Sequence, residues 1–163
     1  MNLERYEYDQ LDESTYRFYS VGRNGTFEMR VQFAEMGYRS YNLGFGVVDP
    51  ESDWLDDLVE LRNGDTQTIL ATVTRIALDF LASHEGVSLY ASGSTPSRTR
   101  MYQMGLNRVL PQLTDYSIAG LIAKRDLSPD TLGNYQNWKG EWQEFRGGVP
   151  YKAFLIFKGK LLT

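Results

Sequence analysis

The strictest constraint on the fold is an alternation of apolar and polar side chains between residues 27 and 47. Apolar side chains take every second position in two runs: Phe27, Met29, Val31 and Phe33, then Tyr41, Leu43, Phe45 and Val47. A period of two is typical of strands with one buried face. Because turn signals stand at 22–25 and 36–38, the pattern predicts a three-stranded antiparallel meander over 15–48.

Two glycines interrupt the last of these strands. Gly44 and Gly46 fall on the opposite face of the strand from its apolar residues. Glycine inside a strand marks the close approach of another backbone or a ligand, or reflects packing. We favour helix–sheet packing, since glycines inside strands are usually structural.

Two helical patterns follow the meander. Asp65 stands where it can cap a helix that runs to about Ser83. A short buried strand then ends at Ala91, and a second helix begins at Pro96 and runs to about Leu113. The second helix has its core side at Tyr102, Leu106, Val109 and Leu113.

The remaining pattern completes an α+β fold. Further strands are predicted at 116–123 and 151–157. We therefore expect a twisted, mainly antiparallel sheet of five or six strands, with two main helices packed on one face. At this length the chain is predicted to form one domain over 1–163. Within it, 1–14 is a polar N-terminal segment and 124–149 an irregular, aromatic-containing insertion.

Composition removes several classes of function. The chain has 163 residues and no cysteine, which excludes a disulfide framework, a zinc finger and thiolate chemistry. Neither a signal-peptide pattern nor an apolar run of membrane-spanning length is found in the sequence. We expect a cytoplasmic protein, in its own cell or in a host cell, that does not bind a membrane.

The charge is distributed unevenly along the chain. Residues 1–65 hold 14 acidic and 6 basic residues, a net −8, whereas residues 66–163 hold 7 acidic and 11 basic residues, a net +4. The total of −4 disfavours non-specific binding of nucleic acid. The positive half remains able to hold one phosphate-bearing ligand.

The segment 93–100, with the sequence GSTPSRTR, places two arginines at the start of the second helix. Thr95 is a good N-cap and Pro96 a good first helical residue, so Arg98 and Arg100 fall in the first two turns. The helix dipole favours negative charge there. A bound anion would resolve the conflict, and the predicted ligand-binding residues are Ser94, Thr95, Arg98, Arg100 and Tyr102.

Two interpretations of these arginines stay open. In the first, they form an internal clamp that binds the protein's own acidic segment, residues 49–60. In the second, they bind a phosphate-bearing small molecule, a nucleotide or an acidic segment of a partner protein. Because Arg98 and Tyr102 are four residues apart, they share one helix face, whereas Arg100 lies elsewhere by spacing.

Three pieces of the chain resemble a family of small, uncharacterised bacterial and phage proteins, many from Bacteroidota. The first is the strand YNLGFG at 41–46, and the second is NGD at 63–65 with ILATV at 69–73. The third is the motif GST-x-x-RTR-x-Y at 93–102, closed by YKAFL at 151–155. The resemblance implies a single domain in which the motif at 93–102 occurs as a unit. It implies no assigned activity.

An enzymatic alternative uses the acidic segment. Asp53, Asp56, Asp57 and Glu60 would share one face if the segment were helical, and carboxylates are the ligands that Mg²⁺ and Mn²⁺ prefer. Beside a phosphate cradle they would form a metal-dependent phosphoryl or nucleotide hydrolase. An acidic solvated loop is the simpler interpretation.

A third class of function is a protein-interaction module. Trp138, Trp142 and Phe145 have helical spacing, and with neighbouring tyrosines they would form a binding surface, in an inhibitor-like or antitoxin-like role. Self-association is left open. The only histidine, His84, is expected to act as a solvent-facing helix cap, and no catalytic triad or nucleotide-binding loop is found in the sequence. We therefore favour a non-enzymatic binding protein without a cofactor, an accessory factor that inhibits or sequesters its target.

Overall fold

A computed structural model describes residues 5–37, 39–49, 51, 55–56, 62–92, 96–109, 111, 114–123 and 140–159. For 55–56, 96–98, 123 and 140–141 it describes the backbone alone. The helices are α1 (Thr66–Ser83) and α2 (Pro96–Val109). The strands are β1 (Asp9–Asp12), β2 (Thr15–Gly22), β3 (Gly25–Gly37), β4 (Ser40–Val48), β5 (Leu55–Asp56), β6 (Ser88–Ala91), β7 (Tyr116–Ala123), β8 (Gly140–Glu144) and β9 (Ala153–Lys158).

The strands form one sheet, and the fold is α+β as expected. Eight strands follow the order β1-β2-β3-β4-β6-β9-β7-β8, and β5 pairs with β4 beside this path. The expected number of five or six strands is therefore wrong. The strands that the sequence did not indicate are β1, β5 and β8, which have five residues or fewer. Such short strands form by pairing with a neighbour and carry too few residues to show a period of two.

The predicted meander is confirmed. β2, β3 and β4 pair antiparallel in sequence order, with Phe18 opposite Met29 and Val31 opposite Phe45. Five of the alternating apolar residues are buried in the main core, and two more pack against it partly buried: Met29, Val31, Phe33, Leu43 and Phe45, then Tyr41 and Val47. The chain then crosses over through α1 and returns as β6, which pairs parallel with β4. A parallel neighbour requires a crossover of this kind, usually a helix.

Both helices pack on the same face of the sheet. The main core contains Ile76 and Phe80 of α1 and Leu106 of α2, together with sheet residues such as Phe33 and Leu89. The rings of Phe33 and Phe80 stack with their centroids 4.0 Å apart. Within the described ranges, neither helix combines the length and the hydropathy that crossing a membrane requires.

The insertion predicted at 124–149 is partly regular. Residues 140–144 form β8, which pairs antiparallel with β7 and sets Trp142 opposite Leu121. The helix expected from Trp142 and Phe145 is therefore wrong, because Trp142 lies in an extended strand. Residues 124–139, including Trp138, lie outside the described residues.

Gly44 has a different role from the one expected. Its neighbours Leu43 and Phe45 are buried under the helices, so Gly44 and Gly46 lie on the face of the sheet that points away from both helices. A Cβ built on Gly44 meets no heavy atom within 4 Å. Helix–sheet packing therefore does not explain Gly44.

The loop before α1 binds the turn between β2 and β3. The side chain of Asn63 donates hydrogen bonds to Ser20 Oγ (3.0 Å) and to the carbonyl of Gly25 (2.9 Å), and it accepts one from the backbone N–H of Asn24 (2.6 Å). The carbonyl of Asn63 lies so close to Gly22 that a Cβ there would overlap it. Asn63 is buried, at 3% exposure, and joins the meander to the helix.

Asp65 precedes α1 as expected, but its side chain does not cap the helix. Its carboxylate instead accepts hydrogen bonds from the hydroxyls of Tyr6 and Ser20, both at 2.5 Å. The backbone N–H of Tyr6 in turn donates to Thr72 Oγ1 at 2.8 Å. Tyr8 donates to Asp79, and burial raises the pKa of that carboxyl. The N-terminal segment is therefore attached to α1 at both tyrosines.

We predict that Asn63→Ala lowers the free energy of unfolding by about 2 kcal/mol. The substitution removes three hydrogen bonds, one of them to the buried Ser20, and each such bond contributes about 0.5–1.5 kcal/mol. Urea denaturation of the variant measures the loss. The control is Asn107→Ala at an exposed position of α2, which should change stability by less than about 0.5 kcal/mol. Equal midpoints for Asn63→Ala and the wild type would contradict the role assigned to Asn63.

Candidate functional site

The junction between β6 and α2 lies beside the single parallel strand pair among the described residues. β4 and β6 run in the same direction, and Ala91 at the end of β6 is opposite Leu43 of β4. Ser92 follows, and α2 begins at Pro96. In sheets with parallel strands, ligands bind beyond the carboxyl ends of the strands, where helix N-termini supply free N–H groups. The described start of α2 therefore follows a strand end of the kind beyond which such ligands bind.

The predicted site residues have different placements. Ser94 and Thr95 lie outside the described residues, and for Arg98 the structure gives the backbone position in the first turn of α2. Arg100 is exposed to solvent and forms no ion pair within the part of the chain that the structure describes. No acidic residue stands in the first turn of α2. The start of the helix thus lacks the negative charge that its dipole favours.

Tyr102 lies on the core side of α2. Its ring packs edge-to-face against Phe45, with the centroids 5.3 Å apart. Arg100, two residues earlier, lies about 200° around the helix from Tyr102. The structure therefore separates these two predicted ligands: Tyr102 belongs to the sheet side of α2 and Arg100 to the solvent side. The expected core positions Leu106 and Val109 are confirmed as buried, and Leu113 lies outside the described residues.

The internal clamp is not seen at Arg100. The acidic segment is described at Asp49, Glu51 and, for its backbone, at 55–56. None of the described ion pairs joins Arg100 to an acidic residue. Residues 52–54 and 57–60 of the acidic segment lie outside the described residues, so the clamp as a whole stays a prediction.

The metal site predicted in the acidic segment has no support at Asp56. That residue lies in β5 opposite Val47, so its backbone is extended, and the helical spacing that would join it to Glu60 is wrong there. Asp53, Asp57 and Glu60 lie outside the described residues. Among the side chains that are described, no group of three histidine or acidic residues could hold a metal ion.

The aromatic surface expected around Trp142 is partly buried. Trp142 packs against a second, smaller core on the sheet face opposite the helices, which contains Tyr90, Leu121 and Ala153. Burial raises the pKa of Tyr90 above its ordinary value. Trp142 therefore contributes to packing in the described structure.

The ring of His84 is half-buried and packs against α1. Its ring stacks on Phe80 with the centroids 4.0 Å apart, and its Nδ1 lies 2.9 Å from the carbonyl oxygen of Phe80. Because that carbonyl oxygen is an acceptor, Nδ1 carries the proton and donates it. His84 is the C-cap residue of α1, as expected, and its backbone N–H donates to the carbonyl of Leu81. Its ring is half-buried against Phe80, so the expectation that it faces solvent is wrong.

A small apolar cavity adjoins the junction and was not indicated by the sequence. It has a volume of about 30 Å³ and lies between α1, α2 and the sheet. Tyr102 and Ala91 contribute to its wall, so the cavity shares residues with the junction. A periodic pattern in the sequence does not indicate such a cavity, because the cavity depends on how the two helices cross.

Comparison with known proteins assigns the chain to a family. The described fold is that of an α+β protein with two strand–helix–strand crossovers: α1 joins the parallel neighbours β4 and β6, and α2 joins β6 to β7 across β9. The model of a family described as "Family of unknown function (DUF6934)" matches residues 2–159, and the chain belongs to that family. This agrees with the expectation of an uncharacterised family, whereas the motif as its signature and the bacterial or phage origin stay predictions. Neither the search of the curated proteins nor that of the solved structures gives a match.

We predict that Arg100→Ala changes the free energy of unfolding by less than about 0.5 kcal/mol in ligand-free buffer. An exposed residue outside the ion pairs contributes little to stability. Thermal denaturation at low salt measures this. The comparison variant is Arg30→Ala, which removes the half-buried ion pair of Arg30 with Glu28 (2.9 Å) and should be less stable. A clear loss of stability in Arg100→Ala would instead support the internal clamp.

Proposed function

We propose that the protein binds a phosphate-bearing small molecule at the start of α2, as an accessory factor that sequesters its ligand. The supporting observation is the position of this helix start at the carboxyl end of β6, beside its parallel neighbour β4. Free backbone N–H groups at such a position attract anions. In the proposal, Ser94 and Thr95 add hydroxyl donors, and Arg98 and Arg100 add charge-assisted hydrogen bonds.

The charge of α2 supports an anionic ligand. Acidic residues in the first turn stabilise a helix, whereas α2 has none there and carries Arg98 and Arg100 close to its start. The positive helix end and the guanidinium groups therefore repel one another until an anion neutralises them. Arg108 in the last turn, by contrast, follows the ordinary preference.

A phosphate monoester suits this site better than a carboxylate. It carries close to two negative charges at neutral pH and three acceptor oxygens, so it can use N–H groups and arginines together. The +4 charge of residues 66–163 favours the approach of such a ligand, whereas the overall charge of −4 disfavours a long polyanion. We also propose that the protein is a bacterial or phage protein and that the motif at 93–102 is a signature of its family.

The test is isothermal titration of the full chain with inorganic phosphate, AMP and glucose 6-phosphate. We expect at least one of them to bind, and to raise the melting temperature. Arg98→Ala should weaken that binding by about ten- to a hundredfold, because a hydrogen bond to a charged group contributes about 1.5–3 kcal/mol. Added salt should weaken it further by screening.

Arg108→Ala is the matched control. It removes an exposed arginine from the same helix at the end far from the proposed ligand. Its affinity should equal that of the wild type within about twofold, which is a few tenths of a kcal/mol. Binding that survives in an Arg98→Ala/Arg100→Ala double variant would place the ligand elsewhere, and no binding by any of the three compounds would refute the proposal.

A further inference from the structure

The solvent side of α2 is positively charged and is the starting point for an inference about self-association. α2 has three arginines and no acidic residue among its 14 residues. Four exposed residues, Arg100, Met104, Asn107 and Arg108, lie within about 100° of one another around the helix axis. Met104 lies between the two arginines and is 46% exposed. An apolar side chain is therefore surrounded by positive charge on this side of the helix.

The loop after β8 adds a further arginine to this surface. A Cβ built on Gly147 would lie 3.6 Å from Oδ1 of Asn107, so the loop borders α2. Arg146, next to Gly147, is exposed. The arginines of this surface form no ion pair within the part of the chain that the structure describes. We call the surface the basic face; it consists of Arg100, Met104, Asn107, Arg108 and Arg146.

The edge of the sheet at β1 has the opposite charge. β1 is the first strand in the sheet order, and all four of its residues are exposed. Its pairing with β2 shifts register between Gln10 and Asp12, and the intervening Leu11 is 41% exposed. The acidic residues around Leu11 are exposed as well. We call this surface the acidic edge; it consists of Glu7, Asp9, Leu11, Asp12 and Glu13.

The negative charge of the acidic edge is mostly uncompensated within the described ranges. The backbone N–H of Ser14 donates to Oδ1 of Asp12 at 2.9 Å, and this hydrogen bond lowers the pKa of that carboxyl. Asp9 forms an ion pair with Arg17 at 3.2 Å. The other acidic residues of the edge form no described ion pair. The edge therefore stays ionised at neutral pH and is available to an external cation.

The acidic edge and the basic face cannot meet within one molecule. β1 stands four places from β6 in the sheet order, which is about 19 Å across the strands, and α2 follows β6. α1 lies between the two surfaces: Thr72 and Asp79 bind the N-terminal segment, and Leu70 approaches α2 at Gly105. A contact between the two surfaces therefore requires two copies of the chain.

A contact between unlike surfaces is the attractive one of the three possible pairings. Two acidic edges repel each other, since charged edge strands resist pairing with other strands, and two basic faces repel as well. An acidic edge against a basic face brings opposite charges together and covers Leu11 and Met104. The net charge of −4 on each chain opposes this weakly, because charges are screened beyond about 10 Å at 0.1 M salt.

We propose that copies of the chain associate head to tail, with the acidic edge of one copy on the basic face of the next. Because the two surfaces differ, the contact repeats and forms a closed ring or an open chain. Each side offers few residues, which is typical of small, transient interfaces. The inference goes beyond the proposed function and needs no ligand; the basic face shares Arg100 with the proposed ligand site.

Analytical ultracentrifugation of the full chain tests the association between about 10 µM and about 1 mM, where weak contacts dissociate. We expect the weight-average mass to rise with concentration beyond that of two chains, because every added copy offers another edge or face. About 1 M salt should return the mass to that of one chain, since screening then acts within about 3 Å. A wild type that stays monomeric would overturn the inference and leave the basic face to an acidic segment of another protein.

Two complementary variants test which surfaces meet. The edge variant, Glu7→Lys/Glu13→Lys, neutralises the acidic edge and keeps the basic face. The helix variant, Met104→Glu/Arg108→Glu, neutralises the basic face and keeps the acidic edge. Each alone should lose at least tenfold in affinity, because its altered surface no longer attracts the intact one. A 1:1 mixture should form dimers and nothing larger, because one variant supplies the edge and the other the face.

The matched controls make the same charge changes outside both surfaces. Glu51→Lys and Lys158→Glu, each at an exposed position, should associate as the wild type does within about twofold. A mixture that stays monomeric, or a single surface variant that associates like the wild type, would overturn the inference. If the helix variant does not fold, Arg108→Glu/Arg146→Glu replaces it. Failure of phosphate binding leaves this test unaffected, because no ligand is added.

Discussion

The common direction of β4, β6 and β7 is the constraint on which the placement of both helices depends. Two parallel neighbours cannot be joined by a tight turn, so the chain must cross one face of the sheet, and α1 does so. The apolar stripe of α1 then covers the alternating residues of the meander. α2 is a second crossover, from β6 to β7 on the far side of β9, and it packs beside α1 on the same face. The cavity between α1, α2 and the sheet is a product of these two crossovers.

The sequence was most informative where one face of an element is buried over many residues. The meander, α1 and β7 have such faces, and their patterns predicted them within a few residues. β1 and β5 have too few residues to show a pattern. Trp142 follows Trp138 by four residues, a spacing that fits one face of a helix as well as one face of a strand, so the spacing did not identify β8. Asp65 is a suitable cap by residue type, but Tyr6 and Ser20 compete for its carboxylate. Such a competition between distant residues has no local signal.

The same limit applies to the candidate site. Helical periodicity alone separates Arg100 from Tyr102, and the fold places the first in solvent and the second against Phe45. The cavity depends on how closely α2 approaches α1 at Gly105, and a helix crossing is a property of two elements together. The sequence therefore indicated which residues carry charge at the candidate site, whereas the neighbouring cavity was found in the folded structure.

The contact between Asn63 and Gly22 also bears on the order in which the chain folds. The first hairpin is formed by residues that are close in sequence. Polar groups in and beside its turn nevertheless form hydrogen bonds with Asn63, some forty positions later. Contacts over such a separation form late, after the intervening chain has been ordered. The hairpin tip and the first turn of α1 should therefore become rigid in a single step. In a growing chain, the turn between β2 and β3 would lack these hydrogen bonds until residue 63 leaves the ribosome.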